Sequence, residues 1–160
     1  MRDRRRLQGA VLLAGAVVFY VLLDRRGIGF HWTPLVLGLV YLVAAALGGP
    51  RGSYWSTAVV LVLFGLGPVA VYEYELDVTA AAAYVVCLGL VVLVAAQLEE
   101  RGVAITPTAV GATILVLGVV YAFQARVDAV EDPLAYAIAL AAVGAVRLVA
   151  GGGARAKRRR

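Results

Sequence analysis

Six apolar stretches fill almost all of this 160-residue chain, and short polar segments separate them. A helix needs about 20 apolar residues to cross the hydrocarbon core of a bilayer, and about 17 is an ordinary lower limit. None of the stretches shows the sustained alternation of a half-buried strand, so helices fit better than a barrel. We therefore predict an all-α integral membrane protein, a bundle of six transmembrane helices. The predicted spans are residues 7–23, 32–48, 54–72, 78–98, 106–124 and 133–150.

The composition excludes an ordinary soluble domain. Hydrophobic residues make up 62% of the chain and the mean hydropathy is +0.89, whereas soluble domains are roughly 45–50% apolar. No polar segment is long enough to fold separately. We expect a single transmembrane domain, residues 1–160, with basic tails at residues 1–6 and 151–160. The large excess of Arg over Lys is typical of a GC-rich prokaryotic genome.

The distribution of basic residues predicts how the chain is threaded. If the N-terminus is cytoplasmic, the cytoplasmic segments carry eleven of the fifteen Lys and Arg residues, including Arg51 and Arg101 between spans. Positive residues beside helix ends favour the cytoplasmic side, so both termini are predicted to be cytoplasmic and the chain to be a multi-pass protein of the cell membrane. Since no small-x-small cleavage site follows the first span, we expect it to be retained as a signal anchor.

Start and stop signals agree with the predicted boundaries. Three spans open with a capping residue followed by proline, and glycines at 48–49 and 151–153 are predicted to end the second and sixth spans. The side-chain oxygen of such a cap accepts a hydrogen bond from a free backbone N–H, and proline suits the first helical position. The second span is the weakest, so it is predicted either to tilt little or to be re-entrant. The three cap pairs are Thr33-Pro34, Thr106-Pro107 and Asp132-Pro133.

Pro68 interrupts the third span together with Gly65 and Gly67. Proline removes one helical hydrogen bond and clashes with the preceding turn, so we predict a kink. In a transporter such a break can expose carbonyl groups to a substrate. Because the neighbouring side chains are apolar, simple helix packing is the favoured interpretation. In the sixth span, Ala137, Ala141 and Ala145 with Gly144 predict a small-residue face that packs closely either within the bundle or against another copy of the chain.

Acidic residues cluster at the outer end of the third span: Glu73, Glu75 and Asp77, interleaved with tyrosines. Three carboxylates can hold a hard cation such as Ca²⁺ weakly. The favoured interpretation is a solvated loop with interfacial tyrosines. The lone His31 beside Trp32 is interpreted as an interfacial anchor, since one histidine makes neither a metal site nor a bis-histidine haem site.

Two further polar positions are candidates for function. Glu99 and Glu100 end the fourth span and would serve a proton path only if they faced a cavity; a helix end meeting water is the favoured interpretation. Arg147 is the one charged residue well inside a span, where ionisable groups are functional candidates. It lies about one turn from the cytoplasmic end, within reach of snorkelling.

The first three spans resemble the last three in one respect. Residues 23–28 resemble residues 98–103, and each segment is followed by Thr-Pro opening the next span. Two three-helix halves would be inverted in the membrane, an arrangement found in alternating-access transporters. An acidic residue, Arg, Gly and Thr-Pro are also common at helix ends in general. The similarity therefore has a second explanation, convergent helix capping without a repeat, and both explanations stay open.

No catalytic, cofactor-binding or metal-binding motif is present in the sequence, so we predict a protein that is not an enzyme. The favoured function is a non-enzymatic membrane component or accessory subunit, and the alternative is a small oligomeric transporter or channel. The expected partners are the lipid bilayer, with anionic lipid headgroups at the basic tails, and either a second copy or another membrane protein. Nucleic acid is not an expected partner, because the basic residues do not gather along one folded face.

Overall fold

The computed structural model describes residues 2–25, 28–75, 80–124 and 132–153. Within these residues helices and short loops make up the whole chain and no strand is present, which confirms the all-α prediction and its six helices. A π-helical turn, Val21–Arg25, extends the first helix, and a 3₁₀ turn, Phe30–Trp32, leads into the second. The helices are α1 Arg2–Tyr20, α2 Thr33–Gly48, α3 Trp55–Glu73, α4 Ala80–Glu100, α5 Pro107–Gln124 and α6 Pro133–Gly153.

Four helical stretches are long and apolar enough to cross a membrane: Arg4–Asp24, Phe30–Gly48, Trp55–Glu73 and Ala82–Glu100. The apolar parts of α5 and α6 are shorter within the described residues. The second span was expected to be marginal, but the 3₁₀ turn lengthens it to 19 residues. Its length therefore suffices for a crossing.

Helix α3 lies at the centre of the bundle, packing against α2, α4 and α5. Helix α1 packs against α6 most extensively and also against α2. Helices α5 and α6 make little or no contact with each other within the described residues, so a groove separates them. Under an inverted repeat this pair would correspond to α2 and α3, which pack extensively. The helix packing therefore gives the repeat no support.

Small residues permit the close contacts between helices. A Cβ atom on Gly38 of α2 would lie 2.6 Å from the backbone nitrogen of Val62 on α3, and one on Gly144 of α6 would lie 3.0 Å from the backbone oxygen of Gly9 on α1. Gly144 and Ala137 are buried as the small-residue face predicts, but Ala145 is exposed. The face that α6 turns to α1 therefore excludes the last alanine of the pattern.

The helix ends differ from the predicted caps in two places. Asp132 caps α6 as expected, since its carboxylate accepts a hydrogen bond of 2.8 Å from the backbone N–H of Leu134. The cap predicted at Thr33 is wrong: the preceding 3₁₀ turn places Trp32 at the N-cap, and no side-chain capping bond forms. Glycines at 48–49 end α2, but α6 continues helical through Gly153.

The two ends of the bundle carry opposite charge. The basic end is formed by the start of α1, the α2–α3 loop, the α4–α5 loop and the last turns of α6, and the opposite end is the acidic end. The segment 1–6, predicted as a tail, belongs to α1 from Arg2 onward. The loops of the basic end are bonded together, because the Ala104 N–H donates to the Pro50 carbonyl at 2.8 Å. The Thr106 N–H donates to the Ser56 hydroxyl, also at 2.8 Å.

Replacing Gly38 by alanine should weaken the α2–α3 contact. The new methyl group would press on the backbone of α3, which cannot move away as a flexible side chain would, and overpacking of this kind costs about 1–3 kcal/mol. Unfolding of the purified protein in detergent measures the effect. Gly89→Ala is the matched control, since nothing lies within 4 Å of a Cβ at Gly89. Equal stabilities of the two variants would contradict the packing described.

Candidate membrane-embedded binding site

A chain of aromatic rings links five helices and the 3₁₀ turn that leads into α2, in the half of the bundle nearer the acidic end. Each ring centroid lies 5.0 to 6.3 Å from the next. Tilted and offset ring contacts at such distances are favourable beyond the area they bury. The rings thus connect α4, α5 and α6 with α1, α3 and the 3₁₀ turn that precedes α2. In order of contact they are Phe19, Tyr136, Phe30, Tyr121, Tyr84 and Phe64.

A cavity of about 360 Å³ lies beside this aromatic chain, in the groove between α5 and α6. Helices α2 and α3 form its floor, with Leu37 and Leu61, and Leu117 and Leu140 contribute to its walls. The volume falls in the range of about 300–1,000 Å³ that is usual for small-molecule sites. We call this cavity the groove site. It has the size and apolar surface to hold a small lipid-soluble molecule.

The polar groups of the groove site are hydroxyls from threonine and tyrosine. The Thr113 hydroxyl has a hydrogen-bonding partner, since it donates to the Ala109 carbonyl at 2.8 Å. The Thr33 hydroxyl has none: the residue is only 3% exposed, and its Oγ1 forms no hydrogen bond. The polar lining comes from Thr33, Thr57, Thr113, Tyr41, Tyr121 and Tyr136.

The local backbone explains why Thr33 lacks a partner. In the 3₁₀ turn the Trp32 N–H donates to the Gly29 carbonyl, and the Thr33 N–H donates to the Phe30 carbonyl. The helix thus begins before Thr33, whose hydroxyl is displaced from the capping position that the sequence predicts. A buried hydroxyl without a partner is costly. Thr33 is thus a lining residue of the groove site whose hydroxyl has no partner within the protein.

A smaller cavity of about 300 Å³ lies toward the acidic end. Phe30 and Tyr121 line both cavities, so these two rings form the wall between them. The smaller cavity is otherwise bounded by His31, Pro68, Tyr72 and Tyr84.

The structure brings Glu73 to the His31-Trp32 pair. One carboxylate oxygen of Glu73 accepts hydrogen bonds from Trp32 Nε1 at 2.9 Å and from His31 Nε2 at 3.0 Å. The Tyr72 ring lies 5.1 Å from the His31 ring, between centroids. Glu73 thus binds the turn that precedes α2 to the end of α3.

The other members of the predicted acidic cluster do not join this contact. Glu75 is exposed, and its φ of 48° lies in the left-handed region. Asp77 lies outside the described residues. Among the residues that the structure describes, no three side chains of His, Cys, Asp or Glu are placed to hold a metal ion.

Glu99 and Glu100 lie exposed at the end of α4, away from both cavities. The Gly102 N–H donates to the Glu99 carbonyl, and the Val103 N–H donates to the Leu98 carbonyl. With Gly102 at a φ of 78°, this is a Schellman ending of the helix. The backbone of this segment therefore terminates α4.

Arg147 turns toward the basic end. Its Nη2 donates to the Ser53 hydroxyl at 2.8 Å, and its guanidinium carbon lies 4.8 Å from the centre of the Tyr54 ring. A cation over a tyrosine face is attracted by the ring quadrupole. Arg147 therefore joins α6 to the start of α3.

Pro68 is buried within α3 and forms part of the smaller cavity. Gly65 lies against the backbone of Leu35 on α2. On the other side, a Cβ at Gly67 would lie 2.8 Å from the Cys87 sulfur on α4. The small residues around Pro68 thus serve helix packing on both sides of α3.

Comparisons with protein-family models, with curated proteins and with solved structures gave no match for this chain. The groove site therefore has to be interpreted from its own chemistry. The sequence did not reveal it, because its residues come from four helices and a lone threonine or tyrosine carries no signal in an apolar stretch. The one usable signal was Thr33, which the sequence pattern assigned to a cap.

Replacing Thr33 by valine should stabilise the ligand-free protein. The change keeps the side-chain shape and removes a buried hydroxyl that has no partner, which is worth about 1 kcal/mol. Thermal unfolding of delipidated protein in detergent measures it. Thr113→Val is the control and should give no gain, since the Thr113 hydroxyl is hydrogen-bonded. A Thr33→Val protein less stable than the Thr113→Val protein would show that the hydroxyl has a structural partner.

Proposed function

We propose that this chain is a non-enzymatic, multi-pass component of the cell membrane that holds a neutral, lipid-soluble molecule in the groove site. The observation that carries the proposal is the unpartnered Thr33 hydroxyl, which is buried beside a cavity lined mostly by apolar side chains. An apolar guest with a carbonyl or hydroxyl oxygen would fill the cavity and accept the hydrogen bond that the protein leaves open.

The outward surface of the helices supports residence in a membrane. Each of the six helices exposes large apolar side chains to the outside, whereas soluble monomers rarely expose large apolar patches. In a bilayer the same side chains would contact acyl chains. Examples are Val85 and Leu93 on α4, Leu115 on α5 and Val146 on α6.

The charges at the two ends support an orientation with both termini in the cytoplasm. Arg51 and Arg101 lie in loops at the basic end, where α1 begins, while Glu73 and Glu75 lie at the acidic end. Positive residues favour the cytoplasmic side of the bilayer.

Cysteine labelling tests this orientation. In a Cys87→Ala background, a membrane-impermeant maleimide should label Glu75→Cys in intact cells and should label Ser53→Cys only after permeabilisation. Both positions are exposed, so a difference between them reports the side of the membrane. Labelling of Ser53→Cys in intact cells would overturn the orientation.

Photolabelling tests the groove site. A long-chain alcohol carrying a diazirine should label the full-length protein in liposomes, on peptides from α5 and α6. Ala139 lines the groove site, so Ala139→Phe should fill it and reduce that labelling about tenfold, as a lost apolar site of this size implies. Ala142→Phe on the same helix does not line the site and should label like the unmodified protein.

Two further results complete this test. Thr33→Val should weaken labelling while leaving the protein folded, since it removes only the hydrogen bond to the alcohol. Equal labelling of the Ala139→Phe and Ala142→Phe proteins would show that the probe reads lipid-exposed surface rather than the groove site, and would refute the proposal.

The alternative function is a small transporter, and one observation favours it. The groove site and the smaller cavity share the wall formed by Phe30 and Tyr121, so movement of two rings would join the groove to the acidic end. Transfer of the photolabelling alcohol between leaflets, faster than in protein-free liposomes and abolished by Ala139→Phe, would favour transport over a binding component.

A further inference from the structure

A third cavity, of about 1,040 Å³, lies at the basic end and is surrounded by arginines from four segments of the chain. We call this space the arginine cavity. Two of its arginines come from the start of α1, and one each comes from the α2–α3 loop, the turn after α4, and α6. In that order they are Arg4, Arg5, Arg51, Arg101 and Arg147.

None of the carboxylates that the structure describes lies within ion-pair distance of these arginines, although Glu99 and Glu100 are exposed at the same end of the bundle. Within the described residues the only ion pair joins His31 to Glu73, at the opposite end of the bundle. Arg147 donates to the Ser53 hydroxyl, which is uncharged. Like charges gathered around one space repel, and the repulsion is relieved when an anion enters. Guanidinium groups bind phosphate oxygens in bidentate geometry, so phosphate is the anion that suits them.

The arginine cavity is built on a fixed backbone. Gln8 is 4% exposed and donates from Nε2 to the Ala44 carbonyl at 2.8 Å, which holds the start of α1 against the end of α2. Trp55 Nε1 donates to the Gly49 carbonyl at 2.9 Å, closing the loop that carries Arg51. The bond from the Ala104 N–H to the Pro50 carbonyl fixes the loop after Arg101 to the same place. These hydrogen bonds thus keep the arginines close to one another in spite of their electrostatic repulsion.

We propose that the arginine cavity binds the headgroup of an anionic phospholipid that carries two phosphate groups. The inference rests on the membrane residence proposed above but not on the groove site. The cavity lies where the helices end, at the depth of the headgroups of one leaflet. Basic pockets between membrane helices bind headgroups of this kind. Because the arginines lie on separate segments, each of two phosphates can have its own guanidinium partners. A single phosphate would leave some of the guanidinium groups without a partner.

Lipid titration tests the proposal on the full-length protein in detergent, with thermal unfolding as the measurement. Diphosphatidylglycerol should raise the melting temperature at concentrations well below those needed for phosphatidylglycerol. Soluble pyrophosphate supplies two phosphates without acyl chains. If pyrophosphate binds as tightly as the lipid, the occupant is a soluble anion and the lipid assignment is wrong.

Single substitutions identify the residues involved. Arg51→Gln and Arg101→Gln change exposed loop residues and should each weaken diphosphatidylglycerol binding about tenfold, as loss of a charge-assisted hydrogen bond predicts. Arg6→Gln is the matched control: Arg6 is exposed at the same end, does not line the cavity, and carries the same charge. If Arg6→Gln weakens binding as much as the two loop variants, binding follows net charge alone and the proposed site is refuted.

Photolabelling of the groove site by the diazirine alcohol should be unchanged in Arg51→Gln, which separates the two proposals. Loss of lipid binding with normal groove labelling supports the arginine cavity. Normal lipid binding by both loop variants overturns it, whatever the groove site does.

Discussion

The close contact between α2 and α3 determines the arrangement of the other helices. Gly38 on α2 and Gly65 on α3 leave room for the backbone of the partner helix, so the two helices approach more closely than larger residues would permit. Because α2 and α4 already cover two sides of α3, α5 packs chiefly on the part of α3 that remains free. Helix α6 packs chiefly on α1. The space that remains between α5 and α6 is the groove site.

The proposed binding role of the groove site accounts for two features that lower the stability of the fold. A closed α5–α6 contact would bury more apolar surface, and a satisfied Thr33 hydroxyl would avoid the cost of an unpartnered group. The aromatic chain compensates, because it connects α5 to α4 and, through Phe30, to α6 without filling the groove. A site that a ligand completes has this character: it is costly when empty and stabilised when occupied.

At the basic end, too, the fold holds groups whose interactions are unfavourable, and here the cost is electrostatic repulsion. Arginines from four segments surround one cavity without a carboxylate partner among the described residues, while backbone hydrogen bonds hold their loops in place. The sequence distribution of these residues is what membrane topology requires. Their convergence around a cavity is a separate property, since arginines that only set topology need not face one another. The groove site and the arginine cavity are thus two places where the fold holds polar or charged groups without a protein partner, and each is the basis of one proposal.

The sequence by itself determined the helical class, the six helices and the separation of basic from acidic ends. These features depend on local apolar length and on charge position, which can be read along the chain. It predicted the Asp132 cap correctly, because that cap needs only residues two apart. It misplaced Thr33, because whether a 3₁₀ turn precedes a helix depends on what holds that turn, here Glu73 on α3.

Only the tertiary structure decided which helices touch, and therefore where the cavities lie. In a chain dominated by a few apolar residue types, every helix surface resembles the others, so the sequence cannot specify that α1 pairs with α6 or that α5 stands apart from it. Glu73 was a candidate as part of an acidic cluster, yet its partners are His31 and Trp32. Arg147 was a lone intramembrane charge, yet it lines a cavity with four other arginines. Such groupings arise from packing at long range, which local pattern does not contain.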